Sequence, residues 1–591
     1  MNMYKLFIVL ISLTFFGCNN SKTSKNVSKA TGWAINAGDG SFQYNTDYKG
    51  QKAGPGLVFI EGGTYTKGKV QDDVMRDWNN TPNQQHVMSF YMDETEVTNM
   101  MYLEYLDWIK KNFPPTKDLY TNIYSGALPD TLVWRNRLGN TEDLVENYLR
   151  NPAYGQYPVV GVSWVQATEF AKWRSDRYNE RILIEEGYLV SNKELSNRKD
   201  KEKDTLVDVN SWEKGFGIQA NFSTDTYVLD PNNVYGTNNK NKLDGNQSKN
   251  YNKKLASKNK DADTIKSIER KSASRETGLI SPKYRLPSES EWEYAALALS
   301  EDRVANNYRG RKKYPWSGQY TRNGKRKELG DQLANFKNSD GDYGGIGGYS
   351  DDGADITNEV KSYRPNDYGL YDMAGNVSEW VADVYRPTVD DEFNDFNYYR
   401  GNVYTKNKIG SSNGNDSLVI VDKEKYKILP NGKKVAIALP GEIAQTDITK
   451  NDTRFRTNYS KGYNINFRDG DKRSSKQITK NIGQEQDSLE TISGSDQTKE
   501  MYNSPRKIDK NGNWEYDGAS RTSLINDEVR VYKGGSWKDR AYWLDPAQRR
   551  FYAEGMSTDF IGFRCAMSRV GGKKENSNGE KWSKGKVGQK N

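Results

Sequence analysis

The chain has 591 residues, 34% of them hydrophobic, and a mean hydropathy of −0.96; it is long enough for several domains yet too polar to be core throughout. Its 87 Lys and Arg stand against 79 Asp and Glu, both spread along the chain, which excludes the concentrated basic footprint of a nucleic-acid binder. Two cysteines and one histidine exclude a disulfide framework, a His- or Cys-rich metal site and a dithiol redox pair, and leave His86 as the one ring a Ser–His–acid triad could use.

Residues 1–17 have the layout of a targeting segment. Lys5 supplies the positive region and residues 6–16 an apolar stretch too short to span a bilayer comfortably. Gly17-Cys18 follows, with polar residues behind it. A small residue before a cysteine at that point resembles a bacterial lipoprotein signal, in which Cys18 is acylated and becomes the new N-terminus; Phe15 and Phe16 depart from the usual pattern. The alternative is an ordinary secretory peptide that leaves Cys18 a free thiol. On the first reading, residues 18–53 are a lipidated tether and lead-in.

The apolar, aromatic-rich stretches fall in three blocks, which predicts one domain over residues 54–570 with large insertions. Residues 56–65, GLVFIEGGTY, read as a strand, a Gly-Gly turn and a second strand. His86 lies in a strand-like run, residues 85–92, and reads as a packing or hydrogen-bonding residue. Thr98 or Asn99 caps a helix whose Tyr102, Tyr105, Leu106 and Ile109 share one face, ended by Pro114-Pro115. Ser163 and Gln166 form a capping box ahead of a second core helix.

From 185 to 281 the composition turns to Asn, Lys, Asp and Ser, which predicts an insertion partly disordered or draped over the surface. Ser288 and Glu291 form another capping box, with Trp292, Ala295, Ala296 and Leu299 as the buried stripe. Glu289, Glu291 and Glu293 are accounted for by the helix dipole. The glycine-rich residues 341–349 read as a loop, since no Lys-Ser/Thr helix start follows to make a phosphate cradle. A second polar insertion, 387–527, holds strand-like pieces at 417–422 and 435–439. The last block, 531–569, contains KGGSW and GFRCA, and a Lys-rich tail, 571–591, follows.

Between the insertions lie residues 366–380, NDYGLYDMAGNVSEW. Two glycines exclude a long helix and the pattern does not alternate as a strand, so a buried, tightly turned loop is expected. It brings Asp372 and Glu379 into one region. Either they bond nearby N–H groups as turn residues, or they hold a hard cation together with backbone carbonyls.

Taken in order, GLVFIEGGTY, FYMDETEVTN, YPVVGVSW, YRLPSESEWEYAA, YPWSG, NDYGLYDMAGNVSEW, KGGSW and GFRCA resemble the motifs of formylglycine-generating (sulfatase-modifying-factor) enzymes. The resemblance implies an α+β fold, the irregular variant of the C-type-lectin-like fold with little regular secondary structure. It also implies a structural calcium on the side chains of Asp372 and Glu379 and the carbonyls of Gly375 and Val377. Asp372 stands where family members often have asparagine. A second calcium maps to Asn335, the Phe336 carbonyl, Asp352 and the Ala354 carbonyl. The family's enzymes bind copper(I) through two cysteines shortly after Gly-Gly-Ser, but those places hold Asp539 and Leu544 here, and Ser378 replaces the family's tryptophan before Glu379. Without thiolates, no copper and no oxidase chemistry are expected.

The signal segment, the lead-in around Trp33 and Phe42-Gln43-Tyr44, and residues 70–99 further resemble gliding-motility lipoproteins of the Bacteroidota that carry this fold. That likeness implies a non-catalytic, lipid-anchored protein of the outer membrane, on its periplasmic side. Its partners would be other gliding and type IX secretion proteins, the lipoprotein GldK among them. Two other readings stay open: an enzyme that reuses the cleft through Asp539 and Ser536, and a glycan-binding module, suggested by the lectin-like fold and by 14 Trp and 39 Tyr.

Overall fold

The computed structural model describes residues 27–35, most of 42–189, 222–229, 273–299, 312–338, 352–386, most of 401–448, the strand pair within 506–516, and 528–571. The leader, Cys18, the loop at 341–349 and all but the first residue of the tail lie outside the described residues. The strands are β1 (Leu57–Ile60), β2 (Gly63–Lys67), β3 (Asn83–Val87), β4 (Phe90–Asp93), β5 (Tyr284–Arg285) and β6 (Ser378–Val384). Six more lie in the second insertion: β7 (Thr405–Asn407), β8 (Ile409–Ser412), β9 (Asn415–Leu418), β10 (Lys425–Ile428), β11 (Lys434–Ala438) and β12 (Gln445–Asp447). Then come β13 (Arg506–Ile508), β14 (Trp514–Tyr516), β15 (Val529–Lys533), β16 (Arg550–Ala553), β17 (Ile561–Gly562) and β18 (Ala566–Ser568). The helices are α1 (Asn99–Asn112), α2 (Thr121–Ala127), α3 (Glu142–Asn147), α4 (Trp164–Glu185), α5 (Thr224–Leu229) and α6 (Glu289–Leu297).

Three helix starts follow their local signals. Thr98 accepts the Met101 N–H at the head of α1, and Tyr102, Tyr105, Leu106 and Ile109 form its buried face. Both capping boxes close, Ser163 with Gln166 on α4 and Ser288 with Glu291 on α6. Gln166 also donates to the carbonyls of Gly126 and Leu128, each at 2.8 Å, so one cap residue also satisfies orphan carbonyls at the end of α2.

Two four-stranded sheets form the frame, in the orders β1-β4-β18-β5 and β16-β15-β6-β17. Ala566 on β18 lies opposite Met92 on β4, so the last block of sequence completes the sheet begun by the first. The expected hairpin in GLVFIEGGTY does not form: β1 pairs with β4 and β2 with β3. A tight type I′ turn needs positive φ at both central residues, and neither Gly62 nor Gly63 adopts it. Gly62 N–H instead bonds Ser89 Oγ at 2.9 Å, and the chain passes from one sheet to another there. His86 behaves as read, meeting Thr64 Oγ1 at 3.1 Å on β3.

The stretch 366–380 is a turned loop only as far as Val377; Ser378 opens β6, which is buried along its whole length. A strand covered on both faces shows no alternation, which is why the pattern concealed it. The helix-dipole account of α6 also falls short. Glu289 meets Arg549 at 2.5 Å, Lys533 at 3.4 Å and Lys67 at 3.5 Å, and Glu293 meets Lys533 at 2.8 Å, all deeply buried. The insertions are partly built into the body as well. In the first, Phe222, Tyr227 and Ala273 pack on Leu183 and Leu189. In the second, Leu429 and Val435 from the β10–β11 hairpin pack on Val165 of α4.

Burial works to raise the Glu289 carboxyl, but Arg549, Lys67 and Lys533 outweigh it and hold the pKa well below the usual carboxylate range. A folded pKa below the unfolded one contributes stability at every pH above the unfolded value, lost as pH falls toward the folded one. Glu289→Gln is expected to cost roughly 3–5 kcal/mol at pH 7, since it strands buried cations. In urea titrations the gap to the parent protein should narrow below about pH 4.

Candidate functional site

The loop between Asn366 and β6 is wound by four left-handed residues, Gly369 (φ 85°), Asp372 (56°), Gly375 (81°) and Asn376 (56°). Two are glycines and two are the Asp/Asn type that tolerates this region. Asn366 Oδ1 accepts the N–H groups of Tyr368 and Leu370, each at 3.1 Å. Further along, Tyr371 N–H bonds the Glu94 carbonyl, Gly375 N–H that of Gly534, and Asn376 N–H that of Asn335. The loop therefore joins segments from every block of the sequence.

Beneath it, Arg564 grips Glu379 with Nε on Oε2 at 2.7 Å and Nη2 on Oε1 at 2.6 Å, and Trp292 Nε1 adds a bond to Oε2 at 2.8 Å. Glu96, fully buried, accepts Asn376 Nδ2 at 2.7 Å and Val377 N–H at 3.1 Å. Asp372 Oδ2 accepts the Lys361 N–H at 3.0 Å, while its Oδ1 is buried without a hydrogen-bond partner. Three buried carboxylates thus surround one guanidinium. Burial, then repulsion from Asp372 and Glu379, pushes Glu96 well above the usual range; burial lifts Asp372 to about 6.

Members of the second predicted set lie close together. Asp352 accepts Phe336 N–H and Ala354 N–H, each at 3.1 Å, and Asn335 donates to the Ile356 carbonyl at 2.7 Å while its Oδ1 has no partner. Among the described residues no three acidic, His or Cys side chains converge as metal ligands; the two sets combine one or two carboxylates with amide and carbonyl oxygens. Orphaned oxygens on Asp372 and Asn335, and the excess of buried negative charge at the first set, fit a hard divalent cation. Glu379 keeps one of about four lone-pair sites beyond its three donors. Asp372, Glu379 and the Gly375 and Val377 carbonyls would hold such an ion, which would neutralise the loop.

Asp539, Ser536, Ser378 and Arg550 meet in a second polar centre. Arg550 binds Asp539 in a fork, 2.5 Å to Oδ1 and 2.7 Å to Oδ2, and reaches Ser378 Oγ at 2.9 Å. Ser536 Oγ donates to Asp539 at 2.5 Å. The guanidinium lies 4.7 Å from the Tyr532 ring centre and 4.6 Å from that of Trp543. Leu544 is fully buried, packed with Tyr314, Ala334, Phe336 and Ala374. Both oxygens of the Asp539 carboxylate are thus engaged, and the centre offers no thiolate. Sequence reasoning missed Glu96, Arg564 and Arg550. The first two carried a signal, each being a charge set among the apolar residues of a motif (EVTN and GFRCA).

Residues 44–425 match the sulfatase-modifying factor enzyme 1-like domain. The chain belongs to this family. It is 37% identical over 105 residues to the formylglycine-generating enzyme of Streptomyces coelicolor, a match covering 18% of this chain and 27% of that protein. It is 33% identical over 108 residues to the inactive Cα-formylglycine-generating enzyme 2 of Mus musculus, covering 18% and 28%. The chain thus spans little more than a quarter of the length of these relatives. Among solved structures, PvdO from Pseudomonas aeruginosa aligns over 87% of this chain and 94% of its own, at 14% identity and a TM-score of 0.34.

If Arg550 and Asp539 hold the second centre together, Asp539→Ala and Arg550→Ala will not add. A double-mutant cycle by chemical denaturation should give a coupling of about 1–3 kcal/mol, against near zero for Asp539→Ala with Arg181→Ala, whose side chain pairs with Glu185 at the far end of α4.

Proposed function

We propose that this chain is a non-catalytic scaffold lipoprotein that keeps the family's frame and has replaced its oxidase centre with a closed ion pair. The observation that carries this reading is the Asp539–Arg550–Ser378 arrangement. The positions of one family cysteine and of the tryptophan before the glutamate hold polar side chains bound to a common guanidinium. The other cysteine position holds Leu544, sealed in apolar core. A relative described as inactive lends support. The narrower likeness of the lead-in, to the gliding-motility lipoprotein GldJ, extends the proposal to an outer-membrane component, anchored through Cys18, that holds partners of the gliding and type IX secretion machinery, GldK among them. Structural calcium at the Asp372/Glu379 loop belongs to the same reading, as does the lack of copper.

Two measurements test it. An Asp539→Ala/Ser536→Ala protein, expressed to parental abundance to offset the loss of the Asp539–Arg550 pair, should support gliding and secretion as the parent does; a stable, anchored but inactive protein would show that the cleft does chemistry. For the cation, chelation should lower the melting temperature and added calcium restore it, since an ion bound only to the native state stabilises by mass action. Glu379→Ala should blunt that dependence and His86→Ala should not.

A further inference from the structure

Four of the seven exposed large aromatic side chains among the described residues fall between positions 33 and 48: Trp33 is 78% exposed, Phe42 65%, Tyr44 51% and Tyr48 45%. The lead-in is fastened to the body at Asn45 and Gln51. Trp33 stands on a formed turn, in which Ser28 N–H bonds the Trp33 carbonyl at 2.8 Å and Val27 bridges Ala34. Phe42 and Tyr44 stack at 5.9 Å. Asn45 donates to the Thr277 carbonyl at 2.8 Å, and Gln51 accepts the Val570 N–H at 2.8 Å and donates to the Ser568 carbonyl at 3.3 Å. The described residues of this stretch thus present large rings to solvent, and Lys29 and Lys52 in the same stretch of sequence are exposed.

Holding this much apolar ring surface in water is unfavourable, and the ring chemistry points to one kind of cover. Trp and Tyr, apolar with a polar tip, concentrate at membrane–water interfaces, and lysines suit the adjoining phosphates. Trp33 lies fifteen positions after Cys18, a span that reaches at most about 50 Å, so a chain anchored there keeps the rings within range of the bilayer. We propose that Trp33, Phe42, Tyr44 and Tyr48 together form a lipid-facing stripe that seats the folded domain against the membrane. This rests on the anchor reading of Cys18.

The test uses the full lipidated chain with Phe42→Cys, labelled with bimane; acylated Cys18 has no free thiol and Cys565 is fully buried. In proteoliposomes of phosphatidylethanolamine and phosphatidylglycerol, the bimane emission should shift to the blue and be quenched by brominated lipid. The shift should be lost in a Trp33→Ser/Tyr44→Ser/Tyr48→Ser background that still floats with the vesicles. Floating protein whose label stays solvent-like overturns the proposal. So does a label protected in native membranes but not in lipid vesicles, which would mean that a protein partner covers the stripe. The anchor is read separately: Cys18→Ser should move the chain from the membrane pellet to the soluble fraction, and unchanged sedimentation would remove the anchor reading. A chain starting at Asn19, with neither leader nor lipid, then judges the stripe alone, by a flotation with the same vesicles that falls at least five-fold on the triple serine substitution.

Discussion

Arg564 and Glu379 are both removed from water, and each makes the other's burial tolerable. Taking either charge alone out of water costs several kcal/mol, offset only when the partner is close and the remaining donors are used. Here they are. The guanidinium spends its other contacts on the carbonyls of Asp93 and Tyr371, and the carboxylate takes the Trp292 indole as well. Glu379 sits on β6 of one sheet, Asp93 ends β4 of the other, and Tyr371 belongs to the loop between Asn366 and Val377. One ion pair therefore ties both sheets and the loop together, and α6 is joined to them through Trp292. Glu96 and Asp372 crowd the same region with two more carboxyls, and burial, with repulsion among the acids, raises the pKa of both.

The residues of the second polar centre depend on one another. The small Ser378 leaves room for the Arg550 guanidinium, and Asp539 gives it a partner. Ser536 completes the carboxylate's bonds. None of these residues would be well placed without the others: an unpaired Arg550 among Tyr532 and Trp543 would be a stranded charge. The arrangement is built for persistence, because both carboxylate oxygens are engaged and the neighbouring position 544 has joined the apolar core.

The surface is enlarged by segments whose composition alone reads as solvent-exposed. The β10–β11 hairpin of the second insertion lies against α2 and α4, where Lys427 pairs with Glu554 and Lys172 with Glu442 at 2.6 Å. Asn- and Lys-rich sequence is compatible with order when a few apolar residues, such as Leu429 and Val435, meet a prepared face. The insertions thus belong in part to the folded body, and at their described residues they extend the family's frame.

Much was decided locally and is legible in the sequence. Thr98, Ser163–Gln166 and Ser288–Glu291 cap helices because the cap bond spans three residues, and the buried face of α1 follows from its period. The turned character of residues 366–377 is legible because Gly and Asn/Asp are the residues that tolerate left-handed backbone. The near-absence of thiols and imidazoles narrows the chemistry by composition alone. Tertiary structure decided the rest, for reasons of distance and burial. GLVFIEGGTY could make a hairpin by its local pattern, yet its two strands take partners from elsewhere, since long-range pairing buries more surface than a two-residue turn can secure. The burial of β6 on both faces erased the alternation that would have marked it as a strand. Which acid meets which base is likewise a property of the assembled fold: Glu379 and Arg564 are 185 residues apart in sequence, and no local pattern could have joined them.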